Sequence, residues 1–204
     1  MLYFYYDYIC PYSYLVSERL RLLELDYFEN IERRGMELHP EVPSEGTSLS
    51  AEKEAEIKHE IEDIQSLKHG EQIEISIPPI NPKTKNAIAA TLHAEQNGFG
   101  WEFHREVYRA YWTEGKNIGL LPVLSEIADK IDWDGDELIR LLQKDSLSDS
   151  MNDHLKEFQK LGVRGVPTIN FDGRIVKGVK RYEEYKKLLL DTLWDQEVYD
   201  CSCE

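Results

Sequence analysis

The chain has 204 residues, of which 41% are hydrophobic and 31% are charged, so it is long enough for one large domain or a domain that carries an insertion. Asp and Glu number 39 against 24 Lys and Arg, a formal net charge of −15, and this excess of carboxylates argues against nucleic acids and anionic membranes as partners. The three cysteines, an odd number in a long chain, do not make a structural disulfide framework.

The start of the chain lacks the basic and then apolar segments of a signal peptide. No apolar run approaches the roughly 20 residues that cross a bilayer. We therefore expect a cytoplasmic protein, in a compartment that keeps thiols reduced. Each cysteine is then a free thiol, a redox thiol or a feature of the tail.

The first predicted elements place a cysteine between a strand and a helix. The apolar and aromatic run 2–6 predicts a strand buried on both faces. Leucine and valine at helical spacings predict a helix over 12–25, with Pro11 in its first turn. Cys10 therefore lies at a strand-to-helix junction. Residues 29–39 predict a second strand, followed by a loop rich in proline.

The middle of the chain is predicted to be helical. A narrow apolar stripe among Glu and Lys residues is typical of a surface helix, here over 50–68. After a link rich in proline, helical periodicity predicts five further helices, at 83–96, 101–112, 122–131, 134–142 and 148–161. Asp134 and Ser148 are expected to cap the last two helices.

The periodicity changes back to that of strands near the C-terminus. Residues 168–171 and 175–176, joined by an Asp172-Gly173 turn, predict a β-hairpin. Residues 182–194 predict a final helix.

The order of these elements predicts the architecture. Because strands occur only towards the two ends, we expect one sheet made from both ends, with a helical block between them. This is an α/β, thioredoxin-like fold with an all-helical insertion. We predict a thioredoxin-like domain at 1–46 and 147–204, and a helical insertion domain at 47–146.

Cys10 is the strongest candidate for a reactive residue. A thiol at the start of a helix faces unpaired N–H groups and the positive end of the helix dipole, which favour the thiolate. In such settings the pKa falls from about 8.5 to between roughly 3.5 and 7.5. We therefore predict a nucleophile with a lowered pKa. The alternative is a small hydrophobic residue of the core.

A second candidate feature is the Val166-Pro167 turn before the predicted hairpin. In a sheet built from both ends of the chain, this turn can lie beside Cys10. A cis peptide there would offer the N–H and C=O groups of Val166 to an extended peptide or to glutathione. On the frequency of cis X-Pro bonds alone, an ordinary trans turn is favoured.

Together these residues resemble the DsbA-like branch of the thioredoxin superfamily. Cys10 followed by Pro11-Tyr12-Ser13 is similar to the Cys-Pro-Trp-Cys motif of the FrnE-like thiol-disulfide oxidoreductases. The resemblance continues through three further segments, at 36–43, 108–118 and 165–173. It implies that Cys10 is the attacking thiol and that Pro11, Tyr12, Val166 and Pro167 bind the substrate.

The same superfamily includes 2-hydroxychromene-2-carboxylate isomerase and kappa-class glutathione transferase. Their Ser-Pro-Tyr-Ser-type motif binds and activates glutathione, and Pro11-Tyr12-Ser13 is similar to it. The resemblance therefore implies glutathione as a co-substrate and no bound cofactor. In the kappa-class pattern a Ser-Asp or Asn-Asp pair near the last helix binds the glutamyl end of glutathione. This chain has Lys180-Arg181 at the corresponding position.

Ser13 occupies the place of the second, resolving cysteine of the oxidoreductases. A serine cannot resolve a mixed disulfide, but its hydroxyl can hydrogen-bond the Cys10 thiolate and hold its pKa down. We therefore expect a monothiol cycle completed by glutathione or by a distant cysteine. Cys201 and Cys203 form a candidate redox tail, and the alternative is an inert tail.

The most specific interpretation is an enzyme, a FrnE-like thiol-disulfide oxidoreductase that acts on protein or small-molecule thiols and disulfides. A glutathione-dependent isomerase or transferase is the first alternative. A peptide-binding module without turnover is the second. The histidine spacing predicts no metal site, and a homodimer is compatible with the sequence.

Overall fold

The chain alternates between strands near its ends and helices in between. The computed structural model describes residues 2–27, 30–144, 147–162 and 164–200. Its elements are β1 (Leu2–Tyr6), α1 (Pro11–Tyr27), β2 (Ile31–Gly35), β3 (Thr47–Ser48), α2 (Ala51–Leu67), β4 (Ile80–Asn81), α3 (Lys85–Gln96), α4 (Gly100–Trp112), α5 (Leu121–Lys130), α6 (Gly135–Gln143), α7 (Ser148–Lys160), β5 (Thr168–Phe171), β6 (Arg174–Lys177) and α8 (Tyr182–Asp200). Within these ranges no helix is long and apolar enough to cross a membrane.

A mixed four-stranded sheet joins the two ends of the chain. Its strand order is β2-β1-β5-β6. The central strand β1 runs parallel to β2, with Tyr6 opposite Gly35, and antiparallel to β5, with Phe4 opposite Ile169. β5 and β6 form the predicted hairpin, and its turn residue Asp172 has a φ of 49°. One sheet built from both ends is therefore confirmed.

Helices cover both faces of the sheet. Because side chains alternate along a strand, Phe4 and Tyr6 point towards the main core, whereas Tyr5 points to the opposite face. There the Phe158 ring of α7 lies 5.1 Å from the ring of Tyr5. On the main face, Tyr185 of α8 packs against β5. The main core includes residues of the sheet and of α3 to α6, and the domain boundaries at 46/47 and 146/147 stay a prediction.

The structure differs from the predicted elements at several ends. The second strand ends at Gly35, because the chain then turns so that the Leu38 N–H donates to the Asp7 carboxylate. β3 and β4 pair as a small antiparallel sheet within the predicted loop and link. Asp134 caps α6 as predicted, accepting the Glu137 N–H at 3.0 Å. The cap prediction for Ser148 is wrong, because Ser148 is the first helical residue of α7.

A buried arginine ties α1 to two later parts of the chain. Arg19 is 1% exposed. Its guanidinium donates to the Glu71 carboxylate, to the Leu67 carbonyl at the end of α2 and to the Lys180 carbonyl just before α8, each at 2.5 Å. Because a buried guanidinium is costly without partners, these three bonds fix both segments against α1.

Candidate active site

Cys10 lies at the N-terminal end of α1, as predicted. Its carbonyl accepts the N–H groups of Ser13 at 3.1 Å and Tyr14 at 3.3 Å, so Cys10 stands at the cap position of the helix. Pro11 is the first residue of α1, where the missing N–H of proline costs nothing. The strand-to-helix junction of the sequence prediction is confirmed.

The Val166-Pro167 turn lies directly beside the thiol. The peptide bond between these two residues is cis. The Cys10 thiol donates to the Val166 carbonyl, with the sulfur 3.6 Å from the oxygen. This contact follows from the topology, because antiparallel pairing of β1 with β5 brings the start of β5 to the end of β1. The two predicted site segments, 156 residues apart in the chain, therefore meet.

The surroundings of the thiol oppose its ionisation. Cys10 is half-buried as a residue, but protein encloses its sulfur, and this burial raises the pKa of the thiol to about 11. The Ser13 hydroxyl and N–H lower the pKa, whereas the Asp7 and Glu60 carboxylates raise it. The prediction of a lowered pKa is therefore wrong, because burial outweighs the helix terminus. Cys10 is a neutral thiol at pH 7.

Ser13 lies beneath the thiol with an unpaired hydroxyl. The residue is 0% exposed, and its Oγ has no hydrogen-bond partner of standard geometry among the described residues. The hydroxyl nevertheless lies close enough to Cys10 and Tyr108 to lower the pKa of both groups, against the larger effect of burial. A buried polar atom without a partner is rare, so the unpaired hydroxyl marks Ser13 as a candidate member of the site.

Asp7 is a residue of the site to which the sequence analysis assigned no role. It is 0% exposed; Oδ2 accepts the Leu38 N–H at 2.8 Å, and Oδ1 has no partner among the described residues. Burial raises the pKa of this carboxyl to about 7. The available signal was an acidic residue that directly follows a run of five apolar and aromatic residues. Asp7 titrates at neutral pH and its charge opposes ionisation of Cys10.

A linear chain of buried hydrogen bonds holds Tyr8, the residue that follows Asp7. The Thr91 hydroxyl donates to the Ala87 carbonyl, so the Tyr8 hydroxyl donates to Thr91. His104 Nδ1–H then donates to Tyr8, and the Ser17 hydroxyl donates to His104 Nε2, both at 2.9 Å. Burial lowers the pKa of His104, which agrees with the neutral ring that this arrangement requires.

Tyr12 connects the motif to α2. Its hydroxyl donates to Asp63 Oδ2 at 3.2 Å. Burial, and next the hydrogen bond to the Asp63 carboxylate, raise the pKa of Tyr12 to about 12. The predicted substrate-binding residue Tyr12 is thus a neutral phenol that lies against the acidic helix.

The basic pair before α8 has partners of its own. The Arg181 guanidinium lies 3.3 Å from the Glu184 carboxylate, and the Lys180 carbonyl accepts from Arg19. Among the described residues, the hydrogen bond recorded for the Cys10 thiol goes to Val166 and to neither of these side chains. The predicted tail cysteines, Cys201 and Cys203, lie outside the described residues.

Known proteins match the chain over most of its length. The DsbA-like thioredoxin domain family matches residues 1–190. YwbO, an uncharacterized protein of Bacillus subtilis, is 22% identical over 190 residues, which cover 92% of this chain and 94% of YwbO. The 2-hydroxychromene-2-carboxylate isomerase of Pseudomonas putida is 23% identical over 171 residues, which cover 81% of this chain and 82% of the isomerase.

A solved structure gives the same fold. The cytosolic disulfide reductase DsbM of Pseudomonas aeruginosa, solved with GSH, superposes with a TM-score of 0.67 at 19% identity, over 97% of this chain and 98% of DsbM. The thioredoxin-like fold and the resemblance to the DsbA-like branch are therefore confirmed. The chain belongs to the DsbA-like thioredoxin domain family, within a superfamily of thiol oxidoreductases and isomerases.

Proposed function

We propose that this chain is a thiol-disulfide oxidoreductase of the FrnE-like type, with Cys10 as its nucleophile. The observation that supports this most is the position of the Cys10 sulfur. It lies at the start of α1, 3.6 Å from the carbonyl oxygen of Val166. An extended substrate that pairs its backbone with Val166 brings its own disulfide towards this sulfur. The backbone N–H and C=O groups of Val166 form the docking edge. Pro167 and Tyr12 are proposed to contact the substrate beside it, and the Ser13 hydroxyl lowers the pKa of the thiol.

The proposed reaction is a thiol-disulfide exchange. The Cys10 thiol gives its proton to solvent, and the thiolate attacks one sulfur of the substrate disulfide. The other sulfur leaves as a thiolate and takes a proton from solvent. Cys10 is thereby oxidised to a mixed disulfide and the leaving sulfur is reduced. A substrate N–H that pairs with Val166 takes the hydrogen-bond acceptor from the thiol, which favours loss of the thiol proton.

The cycle is proposed to be monothiol. Ser13 has no sulfur, so an external thiol attacks the mixed disulfide, releases Cys10 and becomes disulfide-linked to the substrate half. Glutathione in the cytoplasm is the thiol we propose, supported by DsbM, a cytosolic disulfide reductase solved with GSH. Cys201 or Cys203 is the internal alternative.

Trapping of the mixed disulfide tests this function. In a Cys201→Ser/Cys203→Ser background, the neutral hydroxyethyl disulfide should form an adduct on Cys10, seen by mass spectrometry and released by excess glutathione. Because the pKa of Cys10 is about 11, the rate should rise about tenfold per pH unit between pH 7 and 9. Cys10→Ser is the matched control and should form no adduct. Absence of an adduct from the Cys10 protein at every pH would contradict the proposal.

The raised pKa of Cys10 and the unpaired Ser13 hydroxyl favour a second candidate function, a glutathione-dependent isomerase or transferase. Here Ser13 would donate a hydrogen bond to the glutathione thiolate. The relative from Pseudomonas putida, an isomerase, supports this reading. It requires saturable glutathione binding, measured by calorimetry, that survives Cys10→Ser and is weakened by Ser13→Ala. Peptide binding that is unaffected by Cys10→Ala, with no thiol exchange, would indicate a binding module instead.

A further inference from the structure

Three carboxylates lie on the face of α2 that meets the active-site motif through Tyr12. We name them the acidic rim: Glu56, Glu60 and Asp63. The Tyr12 hydroxyl donates to Asp63 at 3.2 Å, which places this face of α2 against the active-site motif. Glu60 lies one helical turn before Asp63 and is half-buried. Its charge reaches both Tyr12 and Cys10.

The acidic rim has few cations to neutralise it. α2 carries six acidic residues and two lysines. Lys53 pairs with Glu56 at 2.8 Å, and the exposed ring of His59 lies 3.4 Å from Asp63. Glu60 has no ion pair with a described residue. The rim therefore keeps net negative charge beside the sulfur.

The Cys10 sulfur has only acidic neighbours among the charged residues that act on it most strongly, Asp7 and Glu60. Both are withdrawn from solvent, fully for Asp7 and partly for Glu60. Buried and half-buried charges are screened weakly by water and salt. A substrate charge brought next to Cys10 therefore interacts with these carboxylates more strongly than it would at an exposed surface.

We infer that the acidic rim selects disulfides flanked by positive charge, such as a peptide with Lys or Arg next to its cysteine. This inference rests on the proposed exchange at Cys10. A cationic group beside the scissile disulfide is attracted by Glu60 and Asp63 before and during attack. A dianionic disulfide without a compensating ammonium group is repelled by the same carboxylates. The net charge of −15 acts in the same direction on the encounter rate.

Three disulfides of similar size and different charge test the inference. Cystamine carries two ammonium groups, hydroxyethyl disulfide is neutral and 3,3′-dithiodipropionate carries two carboxylates. Mixed-disulfide formation on Cys10 is timed at pH 7.5 in the Cys201→Ser/Cys203→Ser background, and each rate is divided by that of a small reference thiol. At low salt, cystamine should react about tenfold faster and the dianion about tenfold slower than the neutral disulfide. Salt should narrow both differences.

Two double variants assign the effect to the acidic rim. Glu60→Gln/Asp63→Asn should bring the three normalised rates to within about twofold of one another. Glu54→Gln/Glu62→Gln removes the same charge from exposed positions on the other flank of α2 and should leave the order unchanged. If Glu60→Gln/Asp63→Asn fails to fold, the three normalised rates are compared in the single variant Glu60→Gln instead. The salt dependence of these rates in the original protein is the second measurement.

The outcomes separate the two proposals. Equal normalised rates for the three disulfides, or the same order in both double variants, would overturn the charge selection while leaving the exchange reaction in place. No reaction with any disulfide, the neutral one included, would overturn the exchange reaction itself. Faster reaction with the dianion would also overturn the inference.

Discussion

Two sets of buried polar residues lie next to each other where β1 leads into α1, one around Tyr8 and the other around Asp7 and Ser13, and their hydrogen bonding differs. Tyr8 belongs to a chain in which each member has a partner, through Thr91, His104 and Ser17. Asp7 and Ser13 each leave a buried oxygen unpaired among the described residues. Burying polar atoms is unfavourable in both sets, and hydrogen bonds offset this cost only in the set around Tyr8. The difference indicates that the first set stabilises the fold, whereas the unpaired atoms of the second set support the chemistry proposed at Cys10.

The largest effect is expected from breaking the satisfied chain. His104→Leu removes two buried hydrogen bonds and leaves the Ser17 hydroxyl without its partner, so we expect a loss of about 3–5 kcal/mol in the free energy of unfolding. Urea unfolding at pH 7 measures this loss. The matched control is His93→Leu, a buried histidine whose ring makes no hydrogen bond to a described residue, and it should cost less than about 1 kcal/mol. Equal losses in the two variants would contradict the assigned role of the chain.

A smaller effect of opposite sign is expected at Asp7. Burial raises the pKa of this carboxyl from 3.8 to about 7, so the folded state binds the proton more tightly than the unfolded state does. Its contribution to stability is therefore most favourable below about pH 4, falls between pH 4 and 7, and is lowest above pH 7. Asp7→Asn removes the buried charge and should raise the free energy of unfolding by about 2–3 kcal/mol at pH 8.

Urea titrations of the original protein and of Asp7→Asn at pH 4 and pH 8 measure that difference. The gain should vanish at pH 4, where the carboxyl is protonated in the folded state. Because the Asp7 charge opposes ionisation of Cys10, the same substitution should lower the pKa of the thiol, read from the pH dependence of alkylation. A gain that is the same at both pH values would show that the Asp7 charge is not its cause.

The smallest effect on stability is expected at Ser13. Ser13→Ala removes a buried hydroxyl that has no partner, so stability should stay within about 1 kcal/mol of the original. The pKa of Cys10 should rise, because the Ser13 hydroxyl lowers it, and alkylation at pH 8 should slow. Ser17→Ala is the matched control: it breaks the satisfied chain on the same helix and should lower stability while leaving the Cys10 pKa unchanged. A large loss of stability in Ser13→Ala would show that its hydroxyl is already paired.

Local patterns predicted much of the fold. The strand at 2–6 and the hairpin with Asp172-Gly173 were readable because apolar runs and turn residues are local signals. β3 and β4 were not, because two-residue strands have no periodicity, and Thr47 meets Asn81 only through the folding of α2 between them. The end of β2 was also missed, since the partner of Leu38 is the distant Asp7 carboxylate.

The meeting of Cys10 with the Val166-Pro167 turn was predictable from the sequence, but the place of Asp7 in the site and the electrostatics of the thiol were not. The proximity of Cys10 and Val166 follows from the order of strands, which the sequence indicates. The pKa of Cys10 depends first on how deeply the sulfur is enclosed, and then on Ser13, Asp7 and the distant Glu60 of a surface helix. Propensity and capping rules describe the helix terminus alone, so they favoured the thiolate where the packed molecule favours the thiol.

The Arg19 contacts have a further consequence, for the entropy of substrate binding. They fix the end of α2 to α1, while β3 and β4 pair the segments on either side of α2. The helix that carries the acidic rim is therefore held at both ends before a substrate arrives. A site that is already ordered loses little conformational entropy on binding. The attraction between the rim and a cationic substrate is then available for affinity rather than consumed in ordering a loop.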